Sequence, residues 1–391
     1  MRIVTDLHIH SKYSRATSRD MGVGGISEWA RVKGIGLVGT GDFTHPDYLE
    51  ELKHSLKPLG NGLFEHSGIK FVLSTEVSNI FHKNGLKKIH QVILAPGFEV
   101  VEQINEILGK WGNLNADGRP TFGKMSAAEL VEMVMGVSGD CLVIPAHVWT
   151  PWFGLFGANS GFDSVEECYE DMSKHIYALE TGLSSDPAMN WRLSSLDRYT
   201  LLSNSDAHSP KKLGREANVF ELKDLSYYEL MDVIKNKRRD GFKMTYEFYP
   251  EEGKYHFDGH RNCGVRFSPG ESKRHGNVCP VCRKQLTIGV MHRVDELSDR
   301  DNGFVPDGAV PFENIVPLDE VISRSIGKGT YSKAVAEVYW KLIRRFGDEL
   351  TVLHAERGAI ANDVGERVAE GIVRMREGKV RIIPGYDGVY G

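Results

Sequence analysis

Cysteine is scarce in this chain, with 5 among 391 residues. So small and odd a number excludes a disulfide framework as the basis of the fold. Long apolar runs are missing too. No stretch reaches the roughly 20 residues that a membrane-spanning helix requires. The opening MRIVTDLHIH lacks the apolar segment of a signal peptide. A cytoplasmic protein with no membrane partner is therefore expected. There is no internal repeat and no low-complexity tract. Charge of one sign does not dominate either: the net charge is −5, which argues against a general affinity for nucleic acid. The distribution is uneven, however. Between Val233 and Arg300, 14 Lys+Arg stand against 9 Asp+Glu. Hydrophobic and charged contents of 41% and 26% are those of a globular protein long enough for two or three domains.

What is present is a βα alternation. Up to about residue 225, short apolar runs (RIVTDLHIH, GLVGTGDF, KFVLSTEVS, HQVILAP, CLVIPAHV, HIYALET and YTLLSNSD) alternate with helical patterns such as ISEWARVKG and SAAELVEMVMGV. Ser126 and Glu129 have the spacing of a capping box. The alternation predicts a parallel sheet with crossover helices, and seven strands suit a closed barrel. The expected organisation is an α/β barrel over 1–240, a metal-binding module over 241–300 and a mostly helical region over 301–391. The last ends in an expected short strand, KVRIIPG.

Nine candidate metal ligands sit at the ends of these apolar runs: His8, His10, Asp42, His45, Glu76, His90, His147, Asp206 and His208. Imidazole and carboxylate hold zinc, manganese and iron. On a strand, residues two apart face the same side, so both rings of DLHIH can address one ion. SDAH repeats that spacing with a carboxylate and an imidazole. His90 and His147 lie in apolar runs, where a lone histidine is more often a core residue; membership of the set makes them candidates. Strand C-terminal ends are where a (β/α) barrel gathers its active site. Nine ligands exceed the needs of one ion, and multinuclear sites mostly hydrolyse phosphates.

His260-x2-Cys263 and Cys279-x2-Cys282 form two knuckle-like pairs 15 residues apart. That spacing suits a closed tetrahedral zinc site. His256 and His275 are alternative fourth ligands. Cys141 and Cys168 stand alone and read as buried apolar thiols. Trp149, Trp152, Phe153 and Phe156 follow His147 closely; they could stack on a nucleobase or plug the loop from beneath. Lys211, Lys212 and Arg215 follow SDAH and could neutralise a phosphate.

The series DLHIHSKYS, GDFTH, STE, HQVIL, PAHV and SDAH resembles, in order, the motifs of the polymerase-and-histidinol-phosphatase (PHP) superfamily. The resemblance implies a distorted (β/α)7 barrel with a trinuclear centre that hydrolyses phosphate esters. One ion would take His8, His10, Glu76 and Asp206. A second would share Glu76 and add His90 and His147. A third would use His45 and His208 with Asp42. The stretch SKYSRATS lacks the further histidine that many members place there. Together with the Cys/His pairs, LTIGV-x-HRV, WTPWFG and the helical end, the chain resembles the endonuclease Q family. That implies a DNA repair endonuclease cutting 5′ to uracil, hypoxanthine, xanthine and abasic sites, leaving a 3′-hydroxyl and a 5′-phosphate. Damaged DNA would be the partner. Zinc would fill the Cys/His site, with zinc, magnesium or manganese in the barrel. Asp206, Glu76 and His8 are the expected catalytic residues. A histidinol-phosphate-type phosphatase is the alternative, though it gives no reason for the Cys/His module.

Overall fold

The computed structural model describes residues 1–391. It is a mixed α/β structure, and each of the seven expected runs contains a strand. The main sheet has 11 strands. Its path runs Phe312–Asn314, Phe242–Glu247, Ala217–Glu221, Arg2–Asp6, Leu37–Gly39, Ile69–His82, Phe64–His66 and Lys57–Pro58. Ile69–His82 also pairs with Leu86–Ala95 and Thr121–Gly123, and Leu86–Ala95 pairs with Leu142–Pro145.

Arg2–Asp6, Leu37–Gly39 and Ile69–His82 pair in parallel, as the alternation predicts. The expectation of a wholly parallel sheet is not met. Arg2–Asp6 runs antiparallel to Ala217–Glu221, and Ile69–His82 antiparallel to Leu86–Ala95. The second reversal has a local cause. Asn84 and Gly85 adopt φ of 51° and 112°, the left-handed pair that an Asn-Gly hairpin turn needs. The chain therefore folds straight back and no crossover helix intervenes.

Ala178–Glu180 and Thr200–Leu202 form a separate parallel pair. Hydrogen bonds tie it to its neighbours: Val148 N–H to the Glu180 carbonyl at 3.0 Å, and Leu7 N–H to Asn204 Oδ1 at 2.9 Å. The segments that follow these strands thereby come together, and they carry the candidate ligands.

Ser126 caps the helix Ala127–Val137, and both bonds of its capping box with Glu129 are present. The sheet does not stop near residue 240, where the sequence placed a boundary, because Phe242–Glu247 and Phe312–Asn314 both join it. One hydrophobic core runs from Ile9 and Phe71 to Leu318, Leu342 and Ile372, so the carboxyl-terminal helices pack on the sheet's outer helices. A buried ion pair, Lys33 Nζ to Glu349 Oε2 at 2.6 Å, crosses that seam. Tyr339 Oη and Leu318 N–H also donate to Glu349, which satisfies its remaining lone pairs. KVRIIPG does not form the expected strand: it joins no ladder, and its end is held instead by the Arg266 guanidinium donating to the Pro384 carbonyl at 3.2 Å. No helix is long and apolar enough to cross a membrane.

Candidate metal centre

His8 and His10 follow the strand Arg2–Asp6 and are both buried. Each ring has one nitrogen committed. His8 Nδ1 lies 3.0 Å from both oxygens of Glu180. His10 Nδ1 lies 3.1 Å from Asp42 Oδ1 and 3.1 Å from Ser14 Oγ. Such partners fix the tautomer and leave Nε2 free for a ligand. Those Nε2 atoms, and Oδ1 of Asp206, are buried without a hydrogen-bond partner. Orphaned lone pairs cost energy unless a cation accepts them. They face one another: His10 Nε2 is 3.2 Å from Glu76 Oε2 and 3.1 Å from Asp206 Oδ1.

Ligand atoms of His8, His10, Glu76 and Asp206 lie within 4.8 Å of one another, as do those of Glu76, His90 and His147. Glu76 Oε1 is 2.9 Å from His90 Nδ1 and 3.0 Å from His147 Nε2. One Glu76 oxygen therefore serves each group, the geometry of a carboxylate bridging two ions. The donor sets fit divalent cations with mixed N/O preference.

The electrostatics agree. Burial alone would raise the Glu76 carboxyl, but His90, Arg119 and His8 outweigh it and hold it well below the usual range. Asp206 is likewise lowered against its burial, chiefly by His10 and His8. Burial pushes His90 down to about 4, so its ring is the neutral, ligating form near pH 7.

Three of the candidate ligands adopt left-handed backbone: Asp42, His147 and Asp206, with φ of 45°, 33° and 47°. Such conformations persist where the surroundings over-determine them, typically at functional sites.

The expected third group does not assemble. Asp42 accepts from Ser11 N–H and Ser11 Oγ, both at 2.6 Å, and from Ser14 Oγ at 2.8 Å, besides facing His10. Its lone pairs are spent on orienting His10 and its loop, so it is a positioning residue. His45 stacks on Tyr13 at 4.3 Å. His208 Nδ1 lies 2.9 Å from the Asp206 carbonyl. These three do not converge on one point.

Two residues escaped the sequence reading. Glu180 receives His8 Nδ1, the His147 N–H at 2.8 Å and the Asn204 amide at 2.8 Å. Its position at the end of HIYALET was an available signal. Arg119 donates from Nη1 to Glu76 Oε2 at 3.0 Å. Gly118 brings it there: a Cβ at 118 would sit 2.4 Å from Asp42 Oδ2. No motif marks an arginine on such a loop. Glu180→Gln should weaken cation binding by roughly 10- to 100-fold with little change in melting temperature. Competition with a chromogenic chelator measures this, and unchanged affinity would mean that Glu180 does not orient His8.

Behind the centre lies Glu247, fully buried, with Ser203 and Thr245 hydroxyls donating to it. Burial pushes its carboxyl up to about 8. The folded state thus holds this proton more tightly than the unfolded chain, whose carboxyl titrates at about 4.3. The resulting stability is complete below that value and is lost as pH rises through about 8. Between about pH 6 and about pH 9, the melting temperature should fall less in Glu247→Gln than in the wild type; parallel curves would refute this.

The aromatic and basic candidates divide. Trp149 is fully buried and donates Nε1–H to Asn190 at 2.8 Å. It belongs to the core and cannot stack on a base, a correction to its expected role. Phe156 packs against it at 4.9 Å. Trp152 is 41% exposed, and the Phe153 ring lies 4.4 Å from that of His90. Lys212 is paired with Glu320 at 2.9 Å. Arg215 Nε donates to the Ser205 carbonyl at 2.9 Å, bracing the loop that carries Asp206. Lys211 Nζ lies over Trp29, 5.9 Å from the ring centroid.

A separate group unites His260, Cys263, Cys279 and Cys282, with Cys282 Sγ 3.4 Å from His260 Nδ1. His256 and His275 are not members; their rings pack on Phe257 and Phe267. Against the effect of burial, the N–H groups of Cys282 and Val281 bring the Cys279 thiol down to about 7, favouring the thiolate that binds metal. Cys141 and Cys168 are buried, with thiols raised by burial.

Residues 317–379 match the family model described as MJ0043 C-terminal domain. The whole chain superposes on the crystal structure of the lesion-specific endonuclease PfuEndoQ from Pyrococcus furiosus. The TM-score is 0.90 at 35% identity, covering 100% of this chain and 94% of that one. The chain belongs to the endonuclease Q family. An endonuclease Q in complex with a 27-mer duplex substrate, with an abasic lesion at the active site, superposes with a TM-score of 0.89 at 35% identity. That match covers 100% of this chain and 96% of the other. The uncharacterized protein YqxK of Bacillus subtilis (strain 168) is 29% identical over 407 residues, covering 100% of this chain and 98% of the relative. The uncharacterized protein MJ0043 of Methanocaldococcus jannaschii is 35% identical over 249 residues, or 63% of this chain. The match spans 31% of that longer relative.

Proposed function

We propose that this chain is a metal-dependent DNA repair endonuclease. It hydrolyses the phosphodiester 5′ to deaminated bases (uracil, hypoxanthine, xanthine) and to abasic sites, leaving a 3′-hydroxyl and a 5′-phosphate. The observation that carries the reading is Glu76, with one oxygen in each of two donor groups. Membership of the endonuclease Q family supplies the substrate class. The full-length match also favours a nuclease over a small-molecule phosphatase, since it includes the Cys/His group and the helical region.

His8, His10, Glu76 and Asp206 would hold one cation, and Glu76, His90 and His147 a second. Magnesium, manganese or zinc at these positions supplies Lewis acidity toward a phosphate and activates water for attack at phosphorus. Asp42 and Glu180 hold the His10 and His8 rings in register. Arg119 adds a positive charge beside the bridging carboxylate. Phe153 packs its ring against His90. Zinc is the ion that best suits the His260/Cys263/Cys279/Cys282 set. We further read the sheet and its helices as a distorted (β/α)7 barrel of PHP type, bearing a zinc-ribbon module and a helical region.

The test is strand cleavage on a denaturing gel. Purified protein with Mg2+, Mn2+ or Zn2+ is given end-labelled duplexes with one uracil, hypoxanthine, abasic site or no lesion. A single cut 5′ to the lesion is expected. Intact duplexes alongside hydrolysis of a generic phosphomonoester would hand the site to the phosphatase reading.

A further inference from the structure

We infer that a row of aromatic rings leading away from His90 binds unpaired nucleotides of the DNA strand beside the scissile bond. The inference rests on the nuclease reading above.

The row starts at the metal centre. Phe153 adopts φ +66°, an unfavourable conformation for a bulky side chain. It is held there by the His90 N–H, which donates to its carbonyl at 2.9 Å, and by its own N–H donating to Ser160 Oγ at 3.3 Å. Its ring therefore stays against His90. Lys88 Nζ lies 5.3 Å from the Phe153 centroid. Trp152 comes next, 41% exposed, meeting Tyr255 edge-on at 5.4 Å and 73°. Lys254 Nζ lies 5.8 Å from the Tyr255 ring and 5.6 Å from that of Tyr390. Tyr390 is 72% exposed.

Tyr390 does not hang free. Its segment is laced to residues 251–257 by backbone bonds: Gly385 N–H to Glu251 O at 2.8 Å, Gly388 N–H to Lys254 O at 2.8 Å, and Phe257 N–H to Gly385 O at 2.9 Å. Three parts of the chain far apart in sequence thus present rings along one surface. Neither Lys88 nor Lys254 is paired with a carboxylate.

Trp152 and Tyr390 are exposed and are linked through the half-buried Tyr255 and through Lys254, and apolar surface gathered in this way marks a binding site. Rings interleaved with unpaired lysines are what a single nucleic acid strand requires: bases stack on the rings and phosphates meet the ammonium groups. A base within a duplex already has both faces stacked and cannot use this surface. The row therefore takes nucleotides that have left the helix, and it leads them to the centre at His90.

The test uses the full-length protein and fluorescence anisotropy with a labelled oligothymidylate. Trp152→Ala and Tyr390→Ala should each weaken binding about tenfold with unchanged salt dependence, because stacking releases no counterions. Trp152→Phe and Tyr390→Phe should restore most of the affinity. Lys254→Gln should reduce the slope of log Kd against log salt by about 1. Alanine variants that melt like the wild type yet bind within about twofold of it would overturn the proposal. The lesion-duplex gel separates the two readings. Lesion cleavage with a flat ring series defeats the row alone. A ring series with no cleavage defeats the nuclease reading, and with it the row's place beside a scissile bond, and leaves only a surface that binds single strands.

Discussion

Asp206→Asn should lower cleavage of a uracil-containing duplex about a thousandfold or more, a loss typical of removing a group on which metal-assisted hydrolysis depends. The substitution is clean for a structural reason. Asp206 occupies left-handed backbone at φ 47°, which asparagine tolerates at least as well as aspartate. The loop should therefore persist, braced by Arg215 on the Ser205 carbonyl. What disappears is the negative charge that His8 and His10 face at 3.8 and 3.1 Å. Without it the first donor group keeps Glu76 as its one carboxylate. Single-turnover cleavage and metal stoichiometry should fall together, while the melting temperature in chelator stays near that of the wild type. Cleavage retained within about tenfold would remove Asp206 from the reaction.

Cys279→Ser should abolish metal binding by the Cys/His group and unfold the surrounding module. The local core holds only Val265, Cys279 and Leu286 as buried residues, too little to offset the entropy of ordering this loop-rich segment. Structural zinc binding in such modules contributes on the order of 10 kcal/mol, so ligand loss and unfolding coincide. Limited proteolysis is the readout. New cleavage sites should appear between His260 and Lys284, while the main sheet resists because its core lies elsewhere. One metal equivalent should also be lost. Continued protease resistance of the segment after chelation would show that the fold holds without the metal.

Much of this was legible in order along the chain. The strands behind the ligand motifs, the Ser126 cap and the Cys/His spacing are local patterns, and local patterns survive folding. The two donor groups contain the residues that the motif series implied, with Glu76 between them. The long antiparallel hairpin was also legible in principle, through Asn84-Gly85, but the βα rhythm around it pointed to a crossover.

Other features were not legible for a physical reason. Metal chemistry demands particular residue types, so candidates can be named from sequence. Whether a carboxylate ligates or orients depends on which lone pairs its neighbours have already taken. Asp42 is spent on Ser11, Ser14 and His10. Glu180 is spent on His8, His147 and Asn204. Burial works the same way: Trp149 and Trp152 stand three residues apart, yet one is sealed in the core and the other faces solvent. The sequence by itself determined the set of donors and the elements that carry them. Only the tertiary structure decided which donors converge, which are spent on orienting others and which rings reach the surface, because those outcomes rest on contacts between residues distant in sequence, such as His8 with Glu180 and Asp206.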